Sequence, residues 1–529
     1  MLFTSYAFIG FLALALIAYY AVPKKLQWIT LLATSYIFYA FAGLECLVFI
    51  LFTTVSSYII SRLMEKNKTR EDAYIVQNRD TLAKEEKKKY RAGQKKKRLL
   101  ILVVGLLLNF GILAVLKYTA FALTNVNSVL GLFGSDGFDI PDLILPMGIS
   151  FYTFQTMGYL IDVYRGRASA EKNIAKLALF VSFFPQLVQG PISRFSDLAH
   201  QLTEPHHFNS KTVSRGLMRV LWGYAKKLIV ADRVLVAIKT LVSSPDTYDG
   251  AYVLLLVLLY SVQIYADFTG GIDITIGIAE SMGIKLAENF DRPFSSKSTK
   301  EYWRRWHITM GSWFRDYIFL PLSVCSPMLK LNKKLGARFS RRTAGKIVAY
   351  AASAVTWFAT GVWHGAAWNF IVWGMLNFLV IAVSESLEPL YEKFHAKFPR
   401  LTASSGYGVF MAARTFLLMG IIRSLDCYRN VSITFAAWGS MLTMRGIGEI
   451  FTGGILQLGL TVPDLVIIAV GIACMFAASK LSAKRDIREY LYERPALCSA
   501  VVGAIFVCVI LFGAYGVGYD ASQFIYDQF

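Results

Sequence analysis

The stretch TWFATGVWHGAAWNF, residues 356–370, places one histidine, His364, in the middle of a long run without formal charge. No Lys, Arg, Asp or Glu occurs between Lys346 and Glu385, so the uncharged run covers residues 347–384. Because a helix needs about 20 apolar residues to cross the core of a bilayer, this run is long enough for two crossings. His364 would then be an ionisable side chain near the midpoint of the run.

The composition extends this pattern to the whole chain. Of its 529 residues, 55% are hydrophobic and 17% are charged, and uncharged runs of 17 or more residues recur along the sequence. The mean hydropathy is +0.47. A soluble protein carries about 25% charged residues, so a soluble enzyme with a large core is excluded. The sequence predicts an all-α, polytopic membrane protein of roughly ten to twelve transmembrane helices, with re-entrant and interfacial helices, in one domain over residues 1–529.

One segment carries a large part of the formal net charge of +20. Residues 61–98 contain 14 Lys or Arg and 6 Asp or Glu, a surplus of +8. In a membrane protein such a surplus marks a cytoplasmic loop, so we interpret it as a topology marker and not as a nucleic-acid-binding surface. Lys24 and Lys25 would also be cytoplasmic, and the acidic segment 134–142 would lie outside. These loops predict a multi-pass protein of the cytoplasmic membrane with its N-terminus outside.

Motifs for bound cofactors do not occur in the sequence. The six cysteines include no CxxC pair, so they predict neither a disulfide framework nor a metal site. No Walker motif, HExxH, GxSxG or zinc spacing occurs. The first apolar segment lacks a small-residue cleavage site, so we interpret it as a retained helix and not as a signal peptide. We therefore expect no bound metal or cofactor.

The segment STKEYWRRWHITMGSWFRDYIFLPL, residues 298–322, contains a second histidine of interest, His307. At about 100° per residue, one continuous helix would place His307 on an aromatic face, away from the charges. A lone histidine on such a face is more often hydrogen-bonded inside a packed core, and the similar aromatic setting of His364 adds weight to a functional role. The aromatic face consists of Trp303, Trp306, His307, Met310, Trp313, Phe314 and Tyr317, and the charged face of Arg304, Arg305, Arg315 and Asp316.

The neighbours of His364 also suit chemistry. Gly361 and Gly365 permit a helix break or the close approach of a ligand. A neutral imidazole at membrane depth can accept the proton of a hydroxyl, which is the work of a general base. The alternative is a histidine that bonds a neighbouring helix. Because ionisable residues inside a membrane are usually functional, we favour catalysis.

Two carboxylates, Asp267 and Asp273, lie in the apolar segment YSVQIYADFTGGIDITIGIAESMG, residues 260–283. A charged Asp at the bilayer centre costs about 2.5–3.5 kcal/mol, so each should face a wet cavity or pair with a cation. Arg304 and Arg305 are the partners we expect. Structural pairing is at least as good an explanation as catalysis.

The middle of the chain is apolar but irregular. Residues 177–195, LALFVSFFPQLVQGPISRF, are interrupted by Pro185, Gly190 and Pro191. Such breaks are tolerated at membrane depth only where the backbone lines protein or a water-filled cavity. Residues 211–242 alternate basic and apolar positions, which is typical of an amphipathic helix at the interface.

These stretches together resemble the membrane-bound O-acyltransferase family, in its bacterial polysaccharide branch. The resemblance rests on MLFTSYAFIGFL, FFPQLVQGPISRF, YADFTGGIDITIGIAESMGIKLAENFDRPF, EYWRRWHITMGSWFRDYIFLPL, TGVWHGAAWNF and the terminal FIYDQF. They follow the family's order over nearly the whole chain, and the RRWHI and WHG blocks are specific to this branch. Departures at 269–271, Glu280 and Asp527 concern the substrate and leave the chemistry untouched.

The resemblance implies many helices around a tunnel through a bacterial cytoplasmic membrane. The family's essential histidine matches His364, and its second position matches His307. Members move an acyl group from a cytoplasmic thioester, here acetyl-CoA or another acyl donor, to a hydroxyl. In this branch the group ends on an extracellular polysaccharide, commonly through a partner resembling an SGNH hydrolase. The residues expected to line the tunnel or meet the substrate are Trp303, Arg304, Arg305, Trp306, Trp363, Asp267, Asp273 and Gln189.

The resulting hypothesis is a membrane O-acetyltransferase in which His364 removes the proton of the acceptor hydroxyl. His307 would orient the acceptor or stabilise the oxyanion. Arg304 and Arg305 would hold anionic groups of the donor, or extend to the interface without a further role. Three alternatives stay open: D-alanyl transfer to teichoic acid from a carrier protein, a polysaccharide-precursor transporter, and a non-catalytic scaffold.

Overall fold

The computed structural model describes residues 2–515, and these residues are almost entirely helical. No β-strand occurs in this range; one isolated antiparallel bridge joins Phe290 and Trp306. The all-α prediction is confirmed, and the terminal motif FIYDQF with Asp527 lies outside the described residues.

The α-helices are α1 Tyr6–Ala21, α2 Gln27–Ala40, α3 Leu47–Gln77, α4 Lys84–Leu132, α5 Ile149–Arg165, α6 Ile174–Ser182, α7 Phe184–Val188, α8 Phe195–Thr203, α9 Ser210–Tyr224, α10 Asp232–Ser243, α11 Ala251–Ser281, α12 Thr299–Arg305, α13 Ile308–Phe314, α14 Leu320–Ser323, α15 Ser326–Gly336, α16 Arg341–His364, α17 Trp368–Ser386, α18 Glu388–Lys397, α19 Pro399–Thr402, α20 Ser405–Tyr428, α21 Val431–Met441, α22 Ile447–Phe451, α23 Val462–Ser482, α24 Ile487–Tyr492 and α25 Pro495–Phe512.

Several of these helices begin at a side chain that satisfies their first backbone N–H groups. The hydroxyl oxygens of Ser298, Ser340 and Ser404 each accept the N–H of the third residue onward, at 3.1–3.2 Å. Because those N–H groups have no partner inside the helix, the serines define where α12, α16 and α20 start.

Seven helices of the described chain are long and apolar enough to cross a membrane: α3, α4, α11, α17, α20, α23 and α25. Two shorter helices, α1 and α21, are also apolar. The protein is therefore a multi-pass membrane protein, as predicted. The number of crossings and the side on which the N-terminus lies stay predictions.

The contacts divide the chain into two compact units. The first unit comprises Met1–Val213 with Ile278–Leu286, and the second comprises Ser214–Gly277 with Ala287–Phe529. Both histidines of interest belong to the second unit, whereas the basic segment 61–98 belongs to the first. That the chain acts as one domain stays a prediction.

In the first unit, the basic segment predicted as a loop is a helical hairpin. α3 continues to Gln77 and α4 starts at Lys84, so only residues 78–83 connect them. The buried Arg98 guanidinium donates to the Glu71 carboxylate across the hairpin. This buried ion pair joins the two helices of the hairpin.

The interruption predicted in the apolar middle segment is confirmed. α6 ends at Ser182, α7 covers Phe184–Val188, and the chain then continues without helix to residue 194. Gln189 lies in this non-helical stretch and is 1% exposed. Gln186 Nε2 donates to the Pro191 carbonyl oxygen at 2.7 Å, which satisfies part of the irregular backbone. The stretch is thus buried in protein, as such a break requires.

In the second unit, glycines bring α9 and α11 into backbone contact. A Cβ on Gly277 would lie 2.6 Å from the Gly216 carbonyl oxygen, and one on Gly270 would lie 2.9 Å from that of Gly223. The two helices therefore run antiparallel at a distance that only glycine permits. The single interfacial helix predicted over 211–242 is instead three elements: α9, a π-helical segment and α10.

The uncharged run of the sequence forms α16 and α17, joined by residues 365–367. A Cβ on Gly361 would lie 2.5 Å from the Phe370 carbonyl oxygen, and Gly374 is confined just as closely by α16. The two helices fold back on each other at this contact. His364, the midpoint of the run in sequence, is the last residue of α16.

Candidate active site

The backbone changes direction at His307. This residue lies between α12 and α13 with φ of 50° and ψ of 54°, in the left-handed region that non-glycine residues seldom adopt. The helical wheel applied to residues 303–317 therefore does not hold across His307, where α12 and α13 meet. The predicted faces are partly right, because Trp306 and His307 are buried, but Asp316 from the charged face is buried as well.

One fully buried amide, that of Asn289, organises the backbone around His307. Its Oδ1 accepts the Thr309 N–H at 3.0 Å and the Thr309 hydroxyl at 2.9 Å. The same oxygen lies 3.3 Å from His307 Nδ1. The Asn289 carbonyl oxygen accepts the Ile308 N–H at 3.0 Å. Asn289 thus supplies the N-terminal cap of α13, which the His307 side chain does not.

His364 lies in a more open setting, at the end of α16. The residue as a whole is partly exposed, whereas its Nε2 atom is buried. The imidazole centroid lies 5.0 Å from that of Trp363 and 4.6 Å from that of Trp373. A Cβ on the next residue, Gly365, would lie 2.1 Å from a ring carbon of Phe370, so the turn requires glycine. The turn therefore holds the imidazole among indole rings at a helix end.

Trp363 connects the two histidines. Its indole centroid lies 6.2 Å from the His307 ring and 5.0 Å from the His364 ring. Trp363 is itself buried, and His307 is 2% exposed. The structure therefore gathers around one indole the two histidines that the sequence singled out.

The contacts extend into a closed circuit of eight aromatic rings. Neighbouring centroids in it are 4.6–6.2 Å apart, which is within interaction distance for aromatic side chains. Besides the two histidines, three residues predicted to line the tunnel, Trp303, Trp306 and Trp363, are members. The circuit runs from His364 through Trp373, Trp303, Tyr302, Trp306, Phe268, His307 and Trp363 back to His364.

The two arginines beside His307 do not pair as predicted. Arg305 donates to the Glu301 carboxylate at 2.7 Å and to the Ser295 hydroxyl at 2.9 Å. Arg304 is exposed. Neither contact involves the carboxylates of α11, so the expected pairing with Asp267 or Asp273 is corrected by the structure.

The carboxylates of α11 instead pair with cations of α9 and the π-helical segment. Asp267 accepts from Lys227 Nζ at 2.6 Å, and neither side chain is exposed. Asp273 accepts from Lys226 Nζ at 2.6 Å and from Arg219 Nε at 2.8 Å. Because a buried charge without a partner is costly, these pairs stabilise the packing of the elements that carry them. The signal in the sequence for these partners is the Lys226–Lys227 dipeptide within an apolar stretch.

Arg423 is a residue of this region that the sequence analysis missed. It lies in α20, a candidate membrane span, and is 5% exposed. Its Nη2 donates to the Tyr302 hydroxyl at 2.9 Å, and its guanidinium lies 3.9 Å from the Trp306 ring centroid. A cation in an apolar helix was the signal that could have found it.

Gln189, the remaining predicted lining residue, belongs to the first unit, so its place beside the histidines stays a prediction. Within residues 2–515, no three His, Cys, Asp or Glu side chains are grouped as a metal ion would require. The described site therefore consists of imidazoles, indoles, an amide and a guanidinium.

The fold and the site together define a class: a multi-pass helical membrane protein with two histidines around a buried indole. The sequence profile of MBOAT, the membrane-bound O-acyltransferase family, matches residues 166–425, which include both histidines. The chain is 31% identical to the probable alginate O-acetylase AlgI of Pseudomonas syringae pv. tomato over 446 residues, which is 84% of this chain and 75% of that protein.

Two other relatives are named for different acceptor molecules, peptidoglycan and teichoic acid. The peptidoglycan O-acetyltransferase of Helicobacter pylori is 29% identical over 75% of this chain and 71% of its own length. The teichoic acid D-alanyltransferase of Bacillus subtilis is 28% identical over 52% of this chain and 67% of its own. The chain therefore belongs to the membrane-bound O-acyltransferase family. It is an O-acyltransferase, as the resemblance implied.

Proposed function

We propose that this O-acyltransferase passes an acetyl group from a cytoplasmic thioester across the membrane, for O-acetylation of an extracellular polysaccharide. The observation that carries the proposal is the pair His307 and His364, gathered around Trp363 inside the region that matches the family. Relatives named for the O-acetylation of alginate and of peptidoglycan support the acetyl group and the glycan acceptor.

In the proposed step, His364 takes the proton of the acceptor hydroxyl while the oxygen attacks the thioester carbonyl. The carbon–sulfur bond then breaks, and the proton leaves His364 with the departing thiolate. His364 suits this role because it ends α16 and its imidazole lies between the indoles of Trp363 and Trp373, in the region that matches the family. His307 orients the acceptor or stabilises the oxyanion.

The donor in this proposal is acetyl-CoA or another acyl thioester, used as a substrate with no bound cofactor. Arg304 is exposed next to the histidine segment and is suited to hold anionic groups of such a donor. In this proposal the acetyl group is passed to an extracellular polysaccharide by a partner protein that resembles an SGNH hydrolase. The chain then lies in a bacterial cytoplasmic membrane with its N-terminus outside and its basic hairpin in the cytoplasm.

A second candidate is the transfer of D-alanine from a carrier protein to teichoic acid. The similarity to a teichoic acid D-alanyltransferase supports it, over a smaller share of the chain than the O-acetylating relatives. These relatives are all named for group transfer, which favours an enzyme over a transporter or a scaffold.

The proposal is tested by the release of free thiol from acetyl-CoA by the purified protein in nanodiscs. Cell-surface polysaccharide and the extracellular partner are supplied as acceptors. His364→Ala should lower turnover by about 10²- to 10⁴-fold, the usual effect of losing a general base. The control is His207→Ala, because His207 is exposed. Equal turnover of the wild type and His364→Ala would overturn the role of His364, whereas thiol release only from an acylated carrier protein would select the second candidate.

A further inference from the structure

The hydrogen bonds of Asn289 determine which nitrogen of His307 carries a proton. A backbone N–H can only donate, and the Thr309 N–H points at one terminal atom of the Asn289 amide at 3.0 Å. That atom must therefore be the carbonyl oxygen, which can only accept. His307 Nδ1 lies 3.3 Å from the same oxygen, so Nδ1 must be the donor of that contact. In the neutral ring, Nε2 is then the basic nitrogen.

The oxygen of Asn289 accepts from three donors at once, and the contact to His307 is the longest of the three. A carbonyl oxygen has two lone pairs, so the sharing explains the length. The His307 imidazole also makes a T-shaped contact with the Phe268 ring. The two ring centroids are 4.9 Å apart and the ring planes are at 87° to each other. Turning the ring by 180° would put a carbon in the place of Nδ1 and so break the contact with the amide oxygen.

The loop that carries Asn289 is itself anchored. The preceding residue, Glu288, accepts two hydrogen bonds from the Arg219 guanidinium, at 2.7 and 2.6 Å. Arg219 Nε donates to Asp273 of α11 at 2.8 Å. A two-pronged contact between a guanidinium and a carboxylate restrains direction as well as distance. The ion pairs of Arg219 with Glu288 and Asp273 thus restrain the loop that carries Asn289, and Asn289 in turn contacts His307.

We propose that Asn289 is a positioning residue of the acyl transfer, which fixes His307 as the Nδ1–H tautomer and presents Nε2 as an acceptor to the substrate hydroxyl. This inference rests on the proposed function and deepens it. A neutral ring with its proton at Nδ1 has no N–H at Nε2 to offer an oxyanion. Of the two roles open to His307, orientation of the acceptor is therefore the one that this geometry supports.

The test is the protonation state of His307 in protein labelled with ¹⁵N-histidine, with its signals assigned by their loss in His307→Gln. In the wild type we expect a proton on Nδ1 and none on Nε2. Asn289→Ala should release the ring to the Nε2–H tautomer and lower turnover by at least about 10-fold, because misassigned tautomers disable histidine chemistry. Asn430→Ala is the control: it removes a capping asparagine from an exposed position at the start of α21, where Asn430 Oδ1 accepts the Ile433 N–H at 3.0 Å, and it should leave both readouts unchanged.

Asn289→Asp separates positioning from simple capping. Aspartate caps a helix well and still accepts from Nδ1, but its negative charge favours the imidazolium form. The acidic limb of the pH–rate profile should therefore move to higher pH, since His307 would be protonated, and inactive, over a wider range. Of the described groups near the His307 ring, Phe268 and Trp363 carry no charge, and the positive charge of Arg423 disfavours the imidazolium form of His307.

Two outcomes would overturn the inference. The first is an Nδ1–H signal and wild-type turnover in Asn289→Ala. The second is loss of turnover in Asn289→Ala with an unchanged tautomer and no shift of the pH profile in Asn289→Asp, which would make Asn289 a helix cap only. A third outcome separates the two proposals. If Asn289→Ala changes the His307 tautomer as expected but His307→Gln keeps full turnover, Asn289 does fix the proton on Nδ1, and the proposed role of His307 in the reaction is wrong.

Discussion

The surroundings of His307 and His364 differ in nearly every physical respect. His307 lies in a left-handed backbone conformation, is 2% exposed and is bonded by a buried amide. His364 ends a regular helix and is partly exposed, and its ring packs against the indoles of Trp363 and Trp373. The first imidazole contacts the oxygen of a buried amide, whereas the second packs against two indoles at a helix end.

This difference suits a division of roles between the two rings. A group that orients a substrate must not move, and burial with a hydrogen-bonded partner provides that. A group that exchanges a proton must be reached by both the donor and the acceptor of that proton. The contrast therefore assigns positioning to His307 and proton transfer to His364, and three measurements can break or sharpen it.

The largest expected effect comes from alanine at each histidine in turn. Both variants should lose turnover, by about 10²- to 10⁴-fold for His364→Ala. Only His307→Ala should also lower the free energy of unfolding, by about 2–5 kcal/mol, because it leaves a cavity where a buried ring packed. Turnover and thermal unfolding in detergent measure the two effects. A matching loss of stability in His364→Ala would erase the contrast.

A smaller effect is expected from Arg423→Met. The change removes the hydrogen bond to the Tyr302 hydroxyl and the cation above Trp306. We expect a loss of about 3 kcal/mol in stability, since both contacts are buried. Arg445→Met is the control, because the Arg445 side chain is 79% exposed and its ion pair is long, at 3.7 Å. Equal unfolding midpoints of the two variants would show that Arg423 does not support the His307 side of the site.

The smallest effect concerns the hairpin that carries His364. Gly361→Ala would place a Cβ 2.5 Å from the Phe370 carbonyl oxygen and should cost about 1–2 kcal/mol as the helices shift apart. Gly345→Ala, on the same helix with nothing within 4 Å of its Cβ, should be neutral or stabilising. The difference in unfolding midpoint measures the contact. If Gly345→Ala were the more damaging change, the packing of α16 on α17 would be misassigned.

The sequence analysis recognised the helical class, the membrane spans and both histidines, because these depend on composition and on local patterns. It missed the break at His307, since a helical wheel assumes that every residue is helical. It also named the wrong partners for Asp267 and Asp273, because charge complementarity alone does not say which of several cations lies within reach. Asn289, 18 residues from His307 in the chain, carried no signal of its own.

The sequence by itself determined that this protein lies in the membrane, that it is built from helices, and that two histidines stand out against apolar and aromatic surroundings. Hydropathy and helix periodicity act over neighbouring residues, so they can be read along the chain. Only the tertiary structure decided that both histidines meet one indole and that Asn289 faces one of them. Contacts such as Arg423 with Tyr302, 121 residues apart, depend on how helices pack, and packing geometry is a property of the whole fold.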